Sequence, residues 1–273
     1  MDYSTIGLKV GIEIHQQLST GKLFCSCASE LVDDHHREIV RRLRPTQSEL
    51  GEIDKAALEE AERKLQFRYQ TVPCSCLVEA DEEPPHDANR LAIEASLEMA
   101  SLLHMTPVDE VHFMRKIVID GSNTGGFQRT ALVATKGYMD LNGKRFGIAT
   151  ICLEEDAARK LTEHSHEVTY RLDRLGIPLV EMATDPDMSS PEEARAVAAR
   201  LGALLRTTKK VRRGIGTIRE DLNISISGGA RVEIKGAQDL RLLPVYIEEE
   251  VKRQLALLEV KDLLRRRGAK KVP

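Results

Sequence analysis

The sequence predicts an α+β protein built on a mainly antiparallel sheet with covering helices. Short runs alternate strictly between apolar and polar residues, hairpin signals are frequent, and strands and helices follow one another without a repeating strand–helix–strand unit.

The first alternating run is Leu8 to His15. Successive strand side chains point to opposite faces, so Leu8, Val10, Ile12 and Ile14 form an apolar face while Lys9, Glu13 and His15 share the other. Residues 18–53 read as loop and short helix, and Ile53 to Phe67 has the Ala/Glu/Lys/Leu content of a peripheral helix. Asp87 to Met105 carries apolar residues at Leu91, Ala92, Ala95, Met99, Leu102 and Leu103, the spacing of an amphipathic helix, and Pro107 closes it. Val111 to Asp120 alternates and runs through the glycine-rich turn Gly121 to Gly126 into a strand at Phe127 to Val133. Asn142-Gly143 supplies the left-handed conformations of a tight hairpin. Cys152 to Asp156 reads as strand. Ser190-Pro191-Glu192-Glu193 opens a helix with a capping serine, a first-turn proline and a glutamate able to close a capping box, running to about Leu205. Arg219, Asp221, Asn223 and Ser225 share one strand face with Leu222, Ile224 and Ile226 behind them, and Glu233 with Lys235 repeats the pattern against Val232 and Ile234. A last helix spans Val245 to Arg267 and ends at Gly268.

The 273 residues suffice for one large domain or two modest ones, and 41% hydrophobic content supplies a sizeable core. No stretch approaches the roughly 20 apolar residues that span a bilayer, and no basic-then-apolar segment opens the chain, so a membrane role is not expected and the cytoplasm is the default location. A net charge of −3 excludes a wholly basic surface and leaves only local anion or RNA contact, at Lys209 to Arg213 and Arg265 to Arg267. Thirty per cent charged residues without tryptophan suit a heat-adapted protein.

Carboxylates and a histidine facing one cavity are what a hard divalent cation requires, and Glu13, His15, Glu154, Glu155 and Glu233 form such a set. For any one of them a solvated surface carboxylate is the plain alternative. Parity leaves open whether Glu154 or Glu155 faces the metal. The Gly-x-x-x-x-Gly-Lys-Ser/Thr loop and the Gly-x-Gly-x-x-Gly fingerprint are both missing, so an ATP site here is sheet-borne and metal-centred, with Arg219, Lys235 and Lys116 as the phosphate-binding cations. Cys25, Cys27, Cys74 and Cys76 offer four thiolates for structural zinc within a cysteine-rich subregion of about residues 22–80; four idle thiols are the alternative. Cys152 reads as core.

These residues resemble the GatB/GatE subunits of tRNA-dependent amidotransferases. The matching stretches run in order: Val10 to His15, Lys22 to Cys27, Arg115-Lys116, Leu153 to Ala157, Asp173 to Glu181, Thr184 to Asp187, Ser190 to Ala194, Arg219 to Ser225 and Glu233 to Gly236. Ile119 to Gln128 after the lysine motif, and Gly236-Ala237-Gln238 after Glu233, are similar to the archaeal-type GatE branch rather than to GatB. The resemblance implies a curved, glutamine-synthetase-like catalytic cradle over residues 1–273, with the family's tRNA-gripping domains outside this chain. It implies ATP and Mg2+ as cofactors, Glu-tRNA(Gln) as substrate, and a separate asparaginase-like (GatD-type) protein as the source of ammonia. It assigns Mg2+ to Glu13, His15, Glu155 and Glu233, phosphate contact to Arg219 and Lys235, and ligand orientation to Asp221 and Asn223. Lys116, Gln128 and Asp173 are the candidates for a shielded ammonia path. A homodimer is left open. Two other readings share the residues: an amide ligase acting on a free small carboxylate, and a zinc-stabilised scaffold without activity.

Overall fold

A computed structural model describes residues 1–34, 36–42, 45, 47 and 50–269. In chain order the elements are α1 (Tyr3–Ile6), β1 (Lys9–Gln17), β2 (Arg37–Arg42), α2 (Lys55–Glu62), β3 (Gln66–Thr71), α3 (Arg90–Leu102), β4 (Thr106–Pro107) and β5 (Met114–Ile117). There follow β6 (Phe127–Leu141), β7 (Lys144–Glu155), β8 (Arg159–Glu163), β9 (Glu167–Arg171), β10 (Pro178–Thr184), α4 (Pro191–Thr207), β11 (Ile218–Ser225), β12 (Val232–Ile234) and α5 (Leu243–Arg266).

An eight-stranded antiparallel sheet runs β12-β11-β1-β10-β7-β6-β4, with β5 also on β6. A four-stranded sheet, β2-β3-β9-β8, pairs β3 and β9 in parallel. The α+β class with largely antiparallel pairing is therefore present.

The alternation of β1 becomes a real division of faces. Val10, Ile12 and Ile14 are buried on the side that receives the helices, while Glu13 and His15 stay half-buried on the other. On β11, Leu222 and Ile224 join the same core. Helix α4 lies on β1, α5 on β11 and α3 across β6 and β7, and α4 presents Ala194, Val197, Ala198, Leu201 and Leu205 to the sheet. Its start is as the sequence indicates: the Ser190 hydroxyl accepts from the Glu193 amide at 3.1 Å, with Pro191 in the first turn. Asn142 and Gly143 both have positive φ, 53° and 77°, as a twisted two-residue hairpin between β6 and β7 requires.

Six strands differ from the sequence reading: β4 and β10 lie where it has no strand, and β2, β3, β8 and β9 depart from it as well. β2 lies in the 18–53 segment taken as loop and short helix, and β3 begins inside the stretch read as the tail of a helix, which stops at Glu62. β8 and β9 carry no turn signal that the sequence reading caught. Phe67, Tyr69, Val168, Tyr170, Leu172 and Leu175 form a second apolar cluster around β3 and β9, and it is this burial that makes them strands. No described helix is long and apolar enough to cross a membrane.

Candidate functional site

The polar face of the large sheet gathers its chemistry by register. In antiparallel pairs, facing residues project to the same side, so the pairing of His15 with Arg219 on β11 and with Glu181 on β10 places all three in one row. Glu181 pairs in turn with Cys152 on β7, and Glu154, two residues on, pairs with Thr130 on β6. Lys116 pairs with Gln128 at the β5 edge. His15, Lys116, Gln128, Glu154, Arg219, Asp221 and Lys235 line one cavity of about 310 Å³.

At its centre the ligand atoms of His15, Glu154 and Glu181 lie within 4.8 Å of one another. His15 Nε2 is 3.4 Å from Glu181 Oε2, and Lys116 Nζ reaches both Glu154 and Glu181 at 3.4 Å. The His15 imidazole, with Lys116 behind it, holds the Glu181 carboxyl down at about 2 against its own burial. Burial and the neighbouring Glu181 push the Glu154 carboxyl up instead. Burial pulls on Lys116, yet the two carboxylates outweigh it and its ammonium is stabilised. Two crowded carboxylates with a single shared lysine are an incompletely neutralised cluster, and His15 Nδ1 is buried without a hydrogen-bond partner among the described residues. Oxygen and imidazole donors at this spacing suit a hard divalent cation. Gln128 Nε2 donates to Glu154 Oε2 at 3.1 Å and to the Glu155 carbonyl at 2.8 Å, fixing which way Glu154 points.

The other sequence-derived residues fall into place around or away from this group. Glu13 accepts from Asn223 Nδ2 at 2.9 Å, and Asn223 faces Glu233 across β11 and β12. Glu233 is paired with Lys235 at 3.2 Å, and Asp221 accepts from the Gly236 amide at 2.7 Å. Glu13, Asp221, Asn223, Glu233 and Lys235 thus share the face with the central trio but form a second group beside it. Arg219 leans toward buried Asp156 at 3.9 Å.

Glu155 is not brought to this cavity. Its carboxylate accepts from the Arg129 guanidinium at 3.0 Å and from the Arg129 amide at 3.1 Å, on the opposite face of β7, because it shares parity with Ile151 and Leu153. Asp173 lies away as well: it is fully buried and bound to Arg159 at 2.6 Å and to the Val32 amide, beside the smaller sheet. Glu181 is the acid that the role assignment omitted. Its signal was a single charged side chain in the otherwise apolar run Leu179 to Ala183, which the sequence reading did not assign to a strand.

The cysteines also regroup. Cys25, Cys27 and Cys76 come together with Glu79, all four ligand atoms within 4.8 Å. Cys25 Sγ is 3.0 Å from Glu79 Oε1, and the second oxygen of that carboxylate accepts from the Cys76 amide at 2.7 Å. Cys74, within the Val72–Ser75 turn, is directed to the Glu30 carbonyl at 3.2 Å and stays outside this group. Burial raises the Cys25 thiol, with Glu79 adding to it, and pushes Cys76 up to about 11. Such crowding of thiols with a carboxylate is relieved when a soft divalent cation takes their protons' place. The spacing Cys76-x-x-Glu79 was the sequence signal for it. Cys152 sits in the row between Glu154 and Glu181, and burial raises its thiol to about 11.

Comparison with known proteins adds an independent line. The profile of the GatB/GatE catalytic domain matches residues 8–271. A protein of Methanothermobacter thermautotrophicus, named as the E subunit of glutamyl-tRNA(Gln) amidotransferase, is 60% identical over 98% of this chain and 44% of its own length. Proteins of the same name from Archaeoglobus fulgidus and Sulfurisphaera tokodaii are 57% and 56% identical over 99% of this chain. The chain spans less than half the length of these curated relatives, 43–44%.

Proposed function

Because the chain belongs to the GatB/GatE catalytic-domain family, we propose that it carries the catalytic part of an ATP-dependent amidation of glutamate on misacylated Glu-tRNA(Gln). In this reaction an oxygen of the substrate γ-carboxylate attacks the γ-phosphorus of ATP and ADP leaves. Ammonia then attacks the acyl carbon, loses a proton and expels phosphate, giving the amide. The observation that carries this reading is the His15–Glu154–Glu181 trio in one cavity with Lys116, Arg219 and Lys235.

Transfer between two anions needs charge neutralisation more than a covalent catalyst. His15, Glu154 and Glu181 would hold Mg2+, with Glu13 and Glu233 beside them on the same face; the ion supplies charge neutralisation and orientation of the phosphates. Arg219 and Lys235 contact phosphate oxygens, Asp221 sets the Gly236 amide beside them, and Asn223 orients Glu13. Lys116 and Gln128 form the wall from which ammonia, made by an asparaginase-like partner, reaches the acyl carbon. An acyl phosphate hydrolyses readily, so that wall must exclude bulk water. The large antiparallel sheet then serves as a glutamine-synthetase-like cradle.

The test is an aminoacyl assay with misacylated Glu-tRNA(Gln), ATP, Mg2+ and an ammonium salt, which removes the need for the partner. Formation of Gln-tRNA is the expected result. ATP hydrolysis stimulated by free glutamate and indifferent to the acylated tRNA would assign the chain to small-carboxylate ligation instead.

For the cysteine group we infer a structural zinc centre held by Cys25, Cys27, Cys76 and Glu79 rather than by four thiolates. Zinc analysis checks it: one equivalent is expected in the purified protein and in Cys74→Ser, and none in Cys76→Ser, whose thermal midpoint falls by several degrees. Zinc lost from Cys74→Ser and retained in Cys76→Ser would reverse the assignment.

A further inference from the structure

The turn between β5 and β6 is anchored from outside the large sheet. Lys116 precedes it, Gln128 follows it, and Val118, Ser122 and Asn123 within it line the same cavity. Within it Val118 N–H donates to the Gly126 carbonyl at 3.0 Å, Gly126 N–H to that of Asn123 at 3.0 Å and Ser122 N–H to Asp120 Oδ1 at 2.9 Å, while from outside Ala158 N–H donates to the Ser122 carbonyl at 2.8 Å and Thr124 Oγ1 to that of Glu79 at 2.7 Å. Two phenols from the smaller sheet hold its first corner. Tyr69 Oη donates to the Gly121 carbonyl and Tyr170 Oη to the Asp120 carbonyl, each at 2.7 Å.

These tyrosines are built for that position. They face each other across the parallel β3–β9 ladder, their ring centroids are 6.0 Å apart, and both are almost fully buried. Phe67 completes the aromatic layer and lies directly under Gly121: a Cβ there would stand 2.3 Å from the Phe67 ring, and the residue's φ of 78° also favours glycine. Hydroxyls at the end of rigid, buried rings lose little freedom when they bond, so the smaller sheet adds two fixed anchors to the corner that the Asp120–Ser122 bond begins.

We propose that Tyr69 and Tyr170 are positioning residues for the cavity: by fixing the Asp120–Gly121 corner they hold the Lys116-to-Gln128 wall against the His15–Glu154–Glu181 trio. This rests on reading the cavity as the amidation site, and its test has one arm that does not. The smaller sheet, which bears none of the trio, thereby acquires a part in the reaction. Neither phenol touches substrate; both act through the turn.

The experiment uses Tyr69→Phe, Tyr170→Phe and the double variant, which keep the rings and remove only the donors. Hydrogen–deuterium exchange across residues 118–126 is expected to accelerate about tenfold per lost hydroxyl, with β1 and β10 unchanged. In the ammonium-dependent assay the double variant is expected to lose about tenfold or more in kcat while KM for ATP stays within about twofold, because the wall and not the phosphate-binding side has loosened. Val168→Ala, in the same aromatic cluster but without a hydroxyl, serves as the packing control. Unchanged exchange at 118–126 in the double variant overturns the proposal. So does a loss of kcat in Val168→Ala matching that of the double variant at equal loss of thermal midpoint. Should the wild-type chain form no Gln-tRNA, the amidation reading fails while the exchange arm still decides the clamp.

Discussion

Glu154→Gln and Glu181→Gln are each expected to lower ATP-dependent amidation by about a thousandfold while leaving the protein folded, because each removes one of the charges that would hold the divalent cation. Their positions in the central row make them non-equivalent to Glu155, whose carboxylate is bound to Arg129 on the far side of β7. Glu155→Gln leaves the Arg129 guanidinium without its buried counter-charge, so its effect is expected in stability, and the fraction that remains folded should turn over at a rate close to wild type. Single-turnover formation of Gln-tRNA, normalised to folded protein from circular dichroism, separates the two. A fully active Glu154→Gln would remove the trio from the reaction, and a folded but inert Glu155→Gln would return Glu155 to it. Titration of Mg2+ supplies a second readout: the amount required for half-maximal rate should rise in His15→Ala and Glu181→Gln and stay put in Glu155→Gln.

The contrast between Glu154 and Glu155 also marks how far the residue pattern reaches. Alternation over Leu8–His15 and Arg219–Ile226 was long enough to assign both faces, and the structure places those side chains on the faces so assigned. Over Cys152–Asp156 the window was too short, and three consecutive acids gave no apolar mark. Extending it back to Ile151 gives Leu153 an apolar partner of the same parity, both buried, which puts Glu155 with them and Glu154 opposite. The smaller sheet was hidden for a different reason. Its central pairing joins residues 66–70 to residues 167–171 in parallel, about a hundred residues apart, so no hairpin turn announces it. Phe67 and Tyr69 alternate correctly but directly follow an Ala/Glu-rich helix, and local propensity carries the helix too far. Glu79 entered the cysteine group because the turn closed by Ala80 N–H on the Cys76 carbonyl folds its carboxylate back onto the Cys76 amide, a geometry that counting thiols does not contain.

Stability should fall as pH rises from about 5 to about 8, and Glu220→Gln should abolish most of that fall. Glu220 lies on the apolar side of β11, between Ile218 and Leu222, at 5% exposure, with Oε1 buried and without a hydrogen-bond partner among the described residues. Burial first, and the neighbouring Asp221 second, raise its carboxyl from 4.5 to about 8. Arg206 from α4, Gln238 and Arg219 border the same small cavity, yet no hydrogen bond or ion pair from them to the carboxylate is found among the described residues. The unfolded chain releases this proton near its ordinary value while the folded chain retains it to about 8, so over the interval the unfolded state binds fewer protons and folding weakens with each step of pH. Integrated over the interval the penalty approaches roughly 5 kcal/mol above pH 8, an upper value that any rearrangement toward Arg206 would reduce. Glutamine keeps the shape and cannot ionise. Urea denaturation midpoints at pH 5 and pH 9 should therefore converge in Glu220→Gln and diverge in the wild type; Glu154 and Glu155, also raised by burial, contribute the same residual slope to both proteins and cancel in the comparison. A pH dependence identical in the two proteins would mean that the carboxylate finds a cationic partner on ionising, and Arg206, in the last turn of α4, is the group whose replacement by glutamine would then restore the slope.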